Sequence, residues 1–438
     1  MDIGTLSLVI LFAMVTLLAI GVPFAFVSGA IAVVLALTNF GIGGLFLIGS
    51  RTAEFVSSFV LVAVPMFVLM ASIMERSGVA RDLYRAFHVL AGGLRGGLAV
   101  ITTVVAVILG ATTGIIGGEI VLLGLVALPQ MLRRGYDKKL AIGTITAGGS
   151  LGTMIPPSII LIFYGITAQV SISHLFLATL IPGLLLATLY IGYIVIRCHL
   201  NPELGPPADA DELAMPLSEK LKLFKGVALP MLVAATVLMS IYTGLASITE
   251  SAALGVAGTI VAAWVRRELS WQMISGALIQ ALKTCGVVFW LVFGTNALIG
   301  IYNLLGGIAF AKAQLAGISA EPAVIILIMI GVFILLGFFI DWIGILFLTM
   351  PVFLPTLIAL GYDPIWFGIV FNLSMQIAYL TPPFGPACFY LKGAAPDSIS
   401  LQDIYAAQWP FIVLQLLGLA IIVLFPSLSL WLPNLVYG

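Results

Sequence analysis

The chain writes one unit twice. Residues Leu128–Asp137 read LPQMLRRGYD and Leu354–Asp363 read LPTLIALGYD, so Leu, Pro, Gly, Tyr and Asp recur in register at an offset of 226 residues. The same shift carries Pro156-Pro157 onto Pro382-Pro383 and Tyr164 onto Tyr390. Shared prolines in otherwise apolar sequence are hard to obtain by chance, and whatever fold one half adopts the other must adopt too. Repeated hydrophobic units with a Gly/Pro interruption at matching places in both halves are the sequence sign of a secondary transporter.

Composition fixes the solvent. With 62% hydrophobic and 8% charged residues, against about 25% charged in a soluble domain, the chain is read as an integral membrane protein in a lipid bilayer. Met1-Asp2 offers no basic n-region, and the apolar stretch from Leu6 runs past Pro23 without a small-residue cleavage site, so the first helix is expected to be retained. No basic stripe interleaves with aromatics, which leaves no basis for a nucleic-acid partner. Cys198, Cys285 and Cys388 have neither metal nor redox spacing and read as small apolar fillers.

Basic residues orient the halves. Arg76, Arg81, Arg85, Arg95, Arg133, Arg134, Lys138 and Lys139 crowd first-half loops whose second-half counterparts hold only Lys312. Conversely, Arg266, Arg267 and Lys283 mark a second-half loop whose first-half partner carries just Arg51. Lys and Arg accumulate in the cytoplasm, so equivalent loops are expected on opposite faces and the repeat is inverted. The first repeat is expected over 1–197 and the second over 226–438, joined by a cytoplasmic linker at 198–225 with Lys220, Lys222 and Lys225. Both termini are expected outside.

About 20 apolar residues per crossing places first-half spans near 4–20, 22–39, 57–75, 139–168 and 175–197. Both ends of 96–132 fall among cytoplasmic charges, and its centre, GATTGIIGG from Gly110, lacks the polar turn of a loop emerging into water. The stretch is expected to be a re-entrant hairpin with its tip at membrane depth, matched by 322–359 around LGFFIDWIG from Leu336. The expected fold is therefore all-α: an inverted repeat of two five-span units, each with a re-entrant hairpin and a broken helix. The break lies in the fourth span, at GGSLGTMIPPS from Gly148 and SMQIAYLTPPFG from Ser374, because proline removes a backbone donor and disfavours helix in the residue before it. Irregular backbone at membrane depth is tolerated where it is buried or lines a wet cavity. Its carbonyls can hold a dehydrated cation, and the N-terminus of the restarted half-helix can face an anion.

These residues resemble the large membrane (M) subunit of tripartite ATP-independent periplasmic (TRAP) transporters. VLVAVPMFVLMA from Val60 is similar to that family's apolar Pro-containing helix, IPPSIILIFYG from Ile155 and LTPPFG from Leu380 to its two signature breaks, and MPVFLPTLIALGYDP from Met350 to the stretch before the second. The resemblance covers essentially the whole chain. It implies an elevator-type carrier in the bacterial inner membrane, sodium as the coupling ion, a small four-helix membrane partner and a periplasmic substrate-binding protein. It departs from the family pattern where Thr112-Thr113 and Gly117-Gly118-Glu119 stand at the first tip.

One cation site is expected from Gly148, Ser150, Met154 and Pro156 with Thr112 and Thr113, and a second from Leu380, Thr381 and Pro383 with Asp341, which stands among Phe338, Phe339 and Trp342. Thr113, Glu119, Pro157, Ser158, Phe384 and Gly385 are expected to hold an organic anion, in a pocket without Arg or Lys. Glu250 is expected to pack or face an interface. His88, His174 and His199 cannot easily converge, and only Asp341 qualifies as an intramembrane aspartate, so no protease constellation competes and no cofactor is expected. A carrier that works without a binding protein, and less favourably an ion channel, are the alternatives.

Overall fold

The computed structural model describes residues 2–88, 93–207, 217–318 and 321–438. Residues 208–216 of the expected linker lie outside these, as do the side chains of Arg81, Arg85, His88, Lys220, Lys222 and Lys225. Among the described residues every regular element is helical. The first half runs α1 (Ile3–Ala19), α2 (Phe24–Phe40), α3 (Gly43–Val56), a 3-10 turn at Phe59–Val62, α4 (Ala63–Arg76), α5 (Val79–His88), α6 (Gly97–Thr113), α7 (Gly118–Arg133), α8 (Lys138–Ser150), α9 (Ile159–Ala168) and α10 (Ile172–Leu200). The second runs α11 (Leu217–Tyr242), α12 (Ile248–Val265), α13 (Trp271–Leu304), α14 (Gly307–Ile318), α15 (Pro322–Gly337), α16 (Trp342–Ala359), α17 (Pro364–Leu380), α18 (Pro386–Ala394), α19 (Leu401–Leu424) and a short α20 (Ser427–Tyr437).

The duplicated GYD motif has a local physical cause. Gly135 and Gly361 sit at φ 77° and 81°, a region glycine enters without Cβ penalty, and each closes the helix before it. Two residues on, Asp137 and Asp363 cap the next helix: the carboxylate of Asp137 accepts from Leu140 N–H (2.9 Å), and that of Asp363 from Ile365 N–H (2.6 Å). The motif thus writes a stop and a start at one place in each half. Both Pro-Pro bonds are cis.

Contacts between halves establish the inversion. Lys138, opening α8, bonds Asp403 at the start of α19 (2.8 Å), whereas Tyr164, near the end of α9, donates to the carbonyl of Pro364 at the start of α17 (2.6 Å). Since α8 and α9 together cross the molecule, Lys138 and its repeat equivalent Pro364 lie at opposite ends. Arg266 follows the Lys138 end. It donates to Asp82 (2.6 Å) and Glu268 (2.9 Å), and these bonds hold its guanidinium pKa above the ordinary arginine value. At the other end Tyr437 stacks on His174 and donates to the carbonyl of Tyr242 (3.0 Å).

Surface and interior are arranged for lipid. Phe12, Phe46, Trp264, Leu282 and Trp290 point outward, while helices approach through small residues, as where Gly294 of α13 lies against Ala25 and Ser28 of α2. One difference from the expected spans is α3, which replaces a presumed loop. Its second-half counterpart is the front of the 34-residue α13. Ser57-Ser58 interrupts the first copy, with Ser58 in extended backbone, where Lys283-Thr284 continues the helix in the second. Glu250 closes a capping box with Ser247 at the exposed start of α12 and so fixes where that helix begins.

Candidate functional site

Each hairpin folds back onto the break of its own half. Legs α6 and α7 contain 17 and 16 residues, a rise of about 25 Å each. At their junction Gly114 adopts φ 63°, and its carbonyl accepts from Ile159 N–H at the start of α9 (3.2 Å). The approach leaves no room for a side chain, since a Cβ on Gly114 would stand 2.0 Å from the Pro157 carbonyl oxygen and one on Gly110 2.3 Å from Gly152 Cα. In the second half Gly337 meets Ala378, the equivalent of Gly152, and Asp341, Trp342, Tyr379 and Phe384 line one small gap.

The first expected cation group is buried except for Thr113, which is half-buried at the edge of the tip. Gly148, Ser150, Met154 and Pro156 lie beneath the tip bearing Thr112 and Thr113. Ser150 Oγ donates to Ala147 O (2.8 Å) and Thr112 Oγ1 to Leu109 O (2.6 Å), which turns hydroxyl lone pairs away from the helix backbone. The Met154 carbonyl accepts from Thr179 Oγ1 (2.9 Å). Sequence reasoning missed two side chains of α17: Asn372 donates to the Thr153 carbonyl (3.0 Å) and Gln376 to the Thr153 hydroxyl, leaving both amide oxygens buried without partners beside the break. Spacing four residues apart on one face of α17 was the available signal. Carbonyl, amide and hydroxyl oxygens of this kind suit a hard monovalent cation.

The second group is looser. Asp341 caps α16, its Oδ1 accepting from Trp342 N–H (2.9 Å), and Thr381 Oγ1 donates to Ile377 O (2.6 Å). Leu380 is buried and its carbonyl faces Cys388 Sγ (3.8 Å). Pro383 turns toward α19 instead, where its carbonyl accepts from Tyr405 OH (2.8 Å).

The residues expected to hold the anion divide. Thr113 and Glu119 line a cavity of about 630 Å³ between the first tip, α4 and α13, shared with Tyr390, which covers Gly117 from the opposite repeat. Pro157 and Ser158 sit under the tip, the Ser158 hydroxyl buried without a partner; Phe384 and Gly385 border the second break. The cavity also differs from the expected one in charge. Arg76 and Glu75, from the last turn of α4, stand in its wall. Sequence alone assigned Arg76 to a cytoplasmic loop, because the packing of α4 against α13 is not a local property.

Comparison with known proteins agrees with this architecture. Residues 10–428 match the family model for the tripartite ATP-independent periplasmic transporter, DctM component. The chain is 28% identical over 462 residues to the C4-dicarboxylate TRAP transporter large permease protein of Vibrio cholerae, covering 99% of each chain. It is 31% identical over 379 residues to the ectoine TRAP transporter large permease protein of Halomonas elongata, covering 86% of this chain and 87% of the relative. The Alcanivorax borkumensis YdaH transporter shares the fold, with a TM-score of 0.66 at 16% identity over 94% of this chain and 98% of that one. On the family match over nearly its whole length, the chain belongs to the DctM components of the tripartite ATP-independent periplasmic transporters, multi-pass inner-membrane permease subunits and not enzymes.

Proposed function

We propose that this chain is the moving permease of a sodium-coupled carrier that imports a small organic acid handed over by a periplasmic binding protein, alongside a small four-helix membrane subunit. The observation that carries the reading is the tip-on-break contact made twice, at repeat-equivalent positions, with the oxygen-rich first copy buried. Sodium sits against the broken helices, at Ser150, Thr112, Thr113 and Met154 in one half and at Asp341, Leu380 and Thr381 in the other; the amide oxygens of Asn372 and Gln376 add to the first. Sodium bound beside the tip-and-break contact orders the tip, and the ordered tip completes the substrate cavity. That order of events couples the two solutes.

The cavity lies beside the first tip, at the end that bears Lys138 and Arg266, the cytoplasmic end by the distribution of basic residues. At the opposite tip Phe339 and Ile340 border a smaller, mostly apolar space of about 360 Å³ with Ile10, Met14 and Leu298, together with Ser7 and Tyr302. This asymmetry corresponds to an inward-facing arrangement, and its mirror state is reached by sliding the tips and breaks past α1–α4 and α11–α13 in an elevator motion. The names of relatives, covering a C4-dicarboxylate and ectoine carrier, support a small polar organic substrate. Reconstitution tests the reading: uptake in proteoliposomes requires this chain, the small subunit, a loaded binding protein and an inward sodium gradient together. Robust saturable uptake by this chain alone contradicts it and favours the self-sufficient carrier.

A further inference from the structure

The duplication supplies a second copy of the cavity, and the copy is chemically different. α4 and α13 each end just before a left-handed glycine, Gly78 (φ 65°) and Gly306 (φ 85°), and each is followed by a short helix, α5 or α14. The end of α13 is thus the repeat equivalent of α4. The space of about 360 Å³ between it, α1 and the second tip stands where the cavity beside the first tip stands in the other half. Ser72, Glu75, Arg76 and Thr113 line the first, whereas Leu298, Ile299, Leu335 and Phe339 line the second. In the described lining of the second, Ser7 and Tyr302 alone have polar side chains, and they satisfy each other: Ser7 Oγ donates to Ile3 O (2.8 Å) and so accepts from Tyr302 OH (2.8 Å). Neither proton is left for a solute, and water does not stay in an apolar space without several polar partners. The floor, with Ile10, Met14, Leu298 and Ile340, is buried. Both rims, Leu11 and Val15 on α1 and Leu335 and Phe339 on the hairpin, are more than half exposed, and the exposed Phe12 and Leu327 beside them continue the lipid-facing surface.

We propose that this crevice takes one acyl chain of a bilayer phospholipid, laid along α1 between α13 and the second hairpin. Its lining runs from Ser7 to Leu18 on α1, a rise of about 16 Å, which is half of a hydrocarbon core of about 30 Å and so the depth of one leaflet. An apolar crevice left empty forfeits van der Waals contact along every wall. A neighbouring acyl chain supplies that contact and gives up no hydrogen bond on entering. On the carrier reading above, the chain lies between α1 and α13, which stay, and the second tip, which slides. Lipid in the crevice therefore favours the inward-facing arrangement and withdraws as the tip moves.

The test is photo-crosslinking of the full chain in nanodiscs of phosphatidylethanolamine and phosphatidylglycerol, with and without sodium. The probe is a phosphatidylethanolamine carrying a diazirine along one acyl chain, and labelled positions are read by peptide mass spectrometry. The expected result is label on the buried floor, at Ile10, Met14 and Leu298, in addition to the lipid-facing Phe12. Met14→Trp and Leu298→Phe fill the crevice, so each lowers floor labelling severalfold and leaves Phe12 labelled, while the melting temperature reports that the fold is kept. Label at Phe12 without label on the floor, in both sodium conditions, overturns the proposal, as does floor labelling unchanged in both filling variants. Floor labelling lost when the small membrane subunit is bound assigns the crevice to that protein and also overturns it. Floor labelling reads the lipid site alone. Absence of sodium-driven uptake by the reconstituted three-part system brings down the carrier reading and leaves the lipid site standing.

Discussion

Backbone approach at the first tip is set by single atoms. Gly114→Ala places a Cβ into the Pro157 carbonyl and adds left-handed strain of about 1–2 kcal/mol, so the melting temperature and uptake both fall. Gly317→Ala in α14, where nothing lies within 4 Å, is neutral or stabilising by up to about 1 kcal/mol. Thr153→Val keeps shape but strands the buried Gln376 amide, which costs about 1–3 kcal/mol, read as a lower denaturation midpoint in detergent. Thr112, Ser150 and Glu119 are singled out by the sequence because they stand beside Gly and Pro signals. Thr153, Asn372 and Gln376 were not, since their significance arises from one half reaching into the break of the other.

Elements were more legible than residues. The repeated GYD and Pro-Pro motifs locate helix ends through backbone conformation and capping, which are local, so α8 and α17 and both breaks follow from sequence. The division of α3 from α4 opposite a continuous α13 did not, because hydrophobicity is alike in the two copies and only Ser57-Ser58 distinguishes them. The role of Tyr390, folded over Gly117, was equally hidden. Between elements, the Lys138–Asp403 pair is 40% exposed on each side chain, so charge reversal at Lys138 lowers the melting temperature only slightly. The double swap Lys138→Glu with Asp403→Lys restores the pair but not the capping box that Asp403 closes with Ser400 at the start of α19, so thermal denaturation recovers only in part.

At the scale of the molecule, charge asymmetry foretold the inversion and the cross-half contacts explain it. Glu203→Cys and Gln314→Cys, both at exposed positions, are labelled by impermeant reagents from opposite faces, while Cys198, Cys285 and Cys388 are buried and give little background. Gly205 is unsuitable for such a probe, since a Cβ there meets Cys198 Sγ at 2.6 Å. The most direct measurement of the account as a whole is the sodium dependence of substrate uptake by the reconstituted three-part system, compared with Ser150→Val and Thr381→Val, which remove one hydroxyl from each tip-and-break pair. The account predicts uptake driven by an inward sodium gradient, with each variant shifted to higher sodium concentration for half-maximal rate. Full, unshifted sodium dependence in both variants contradicts it.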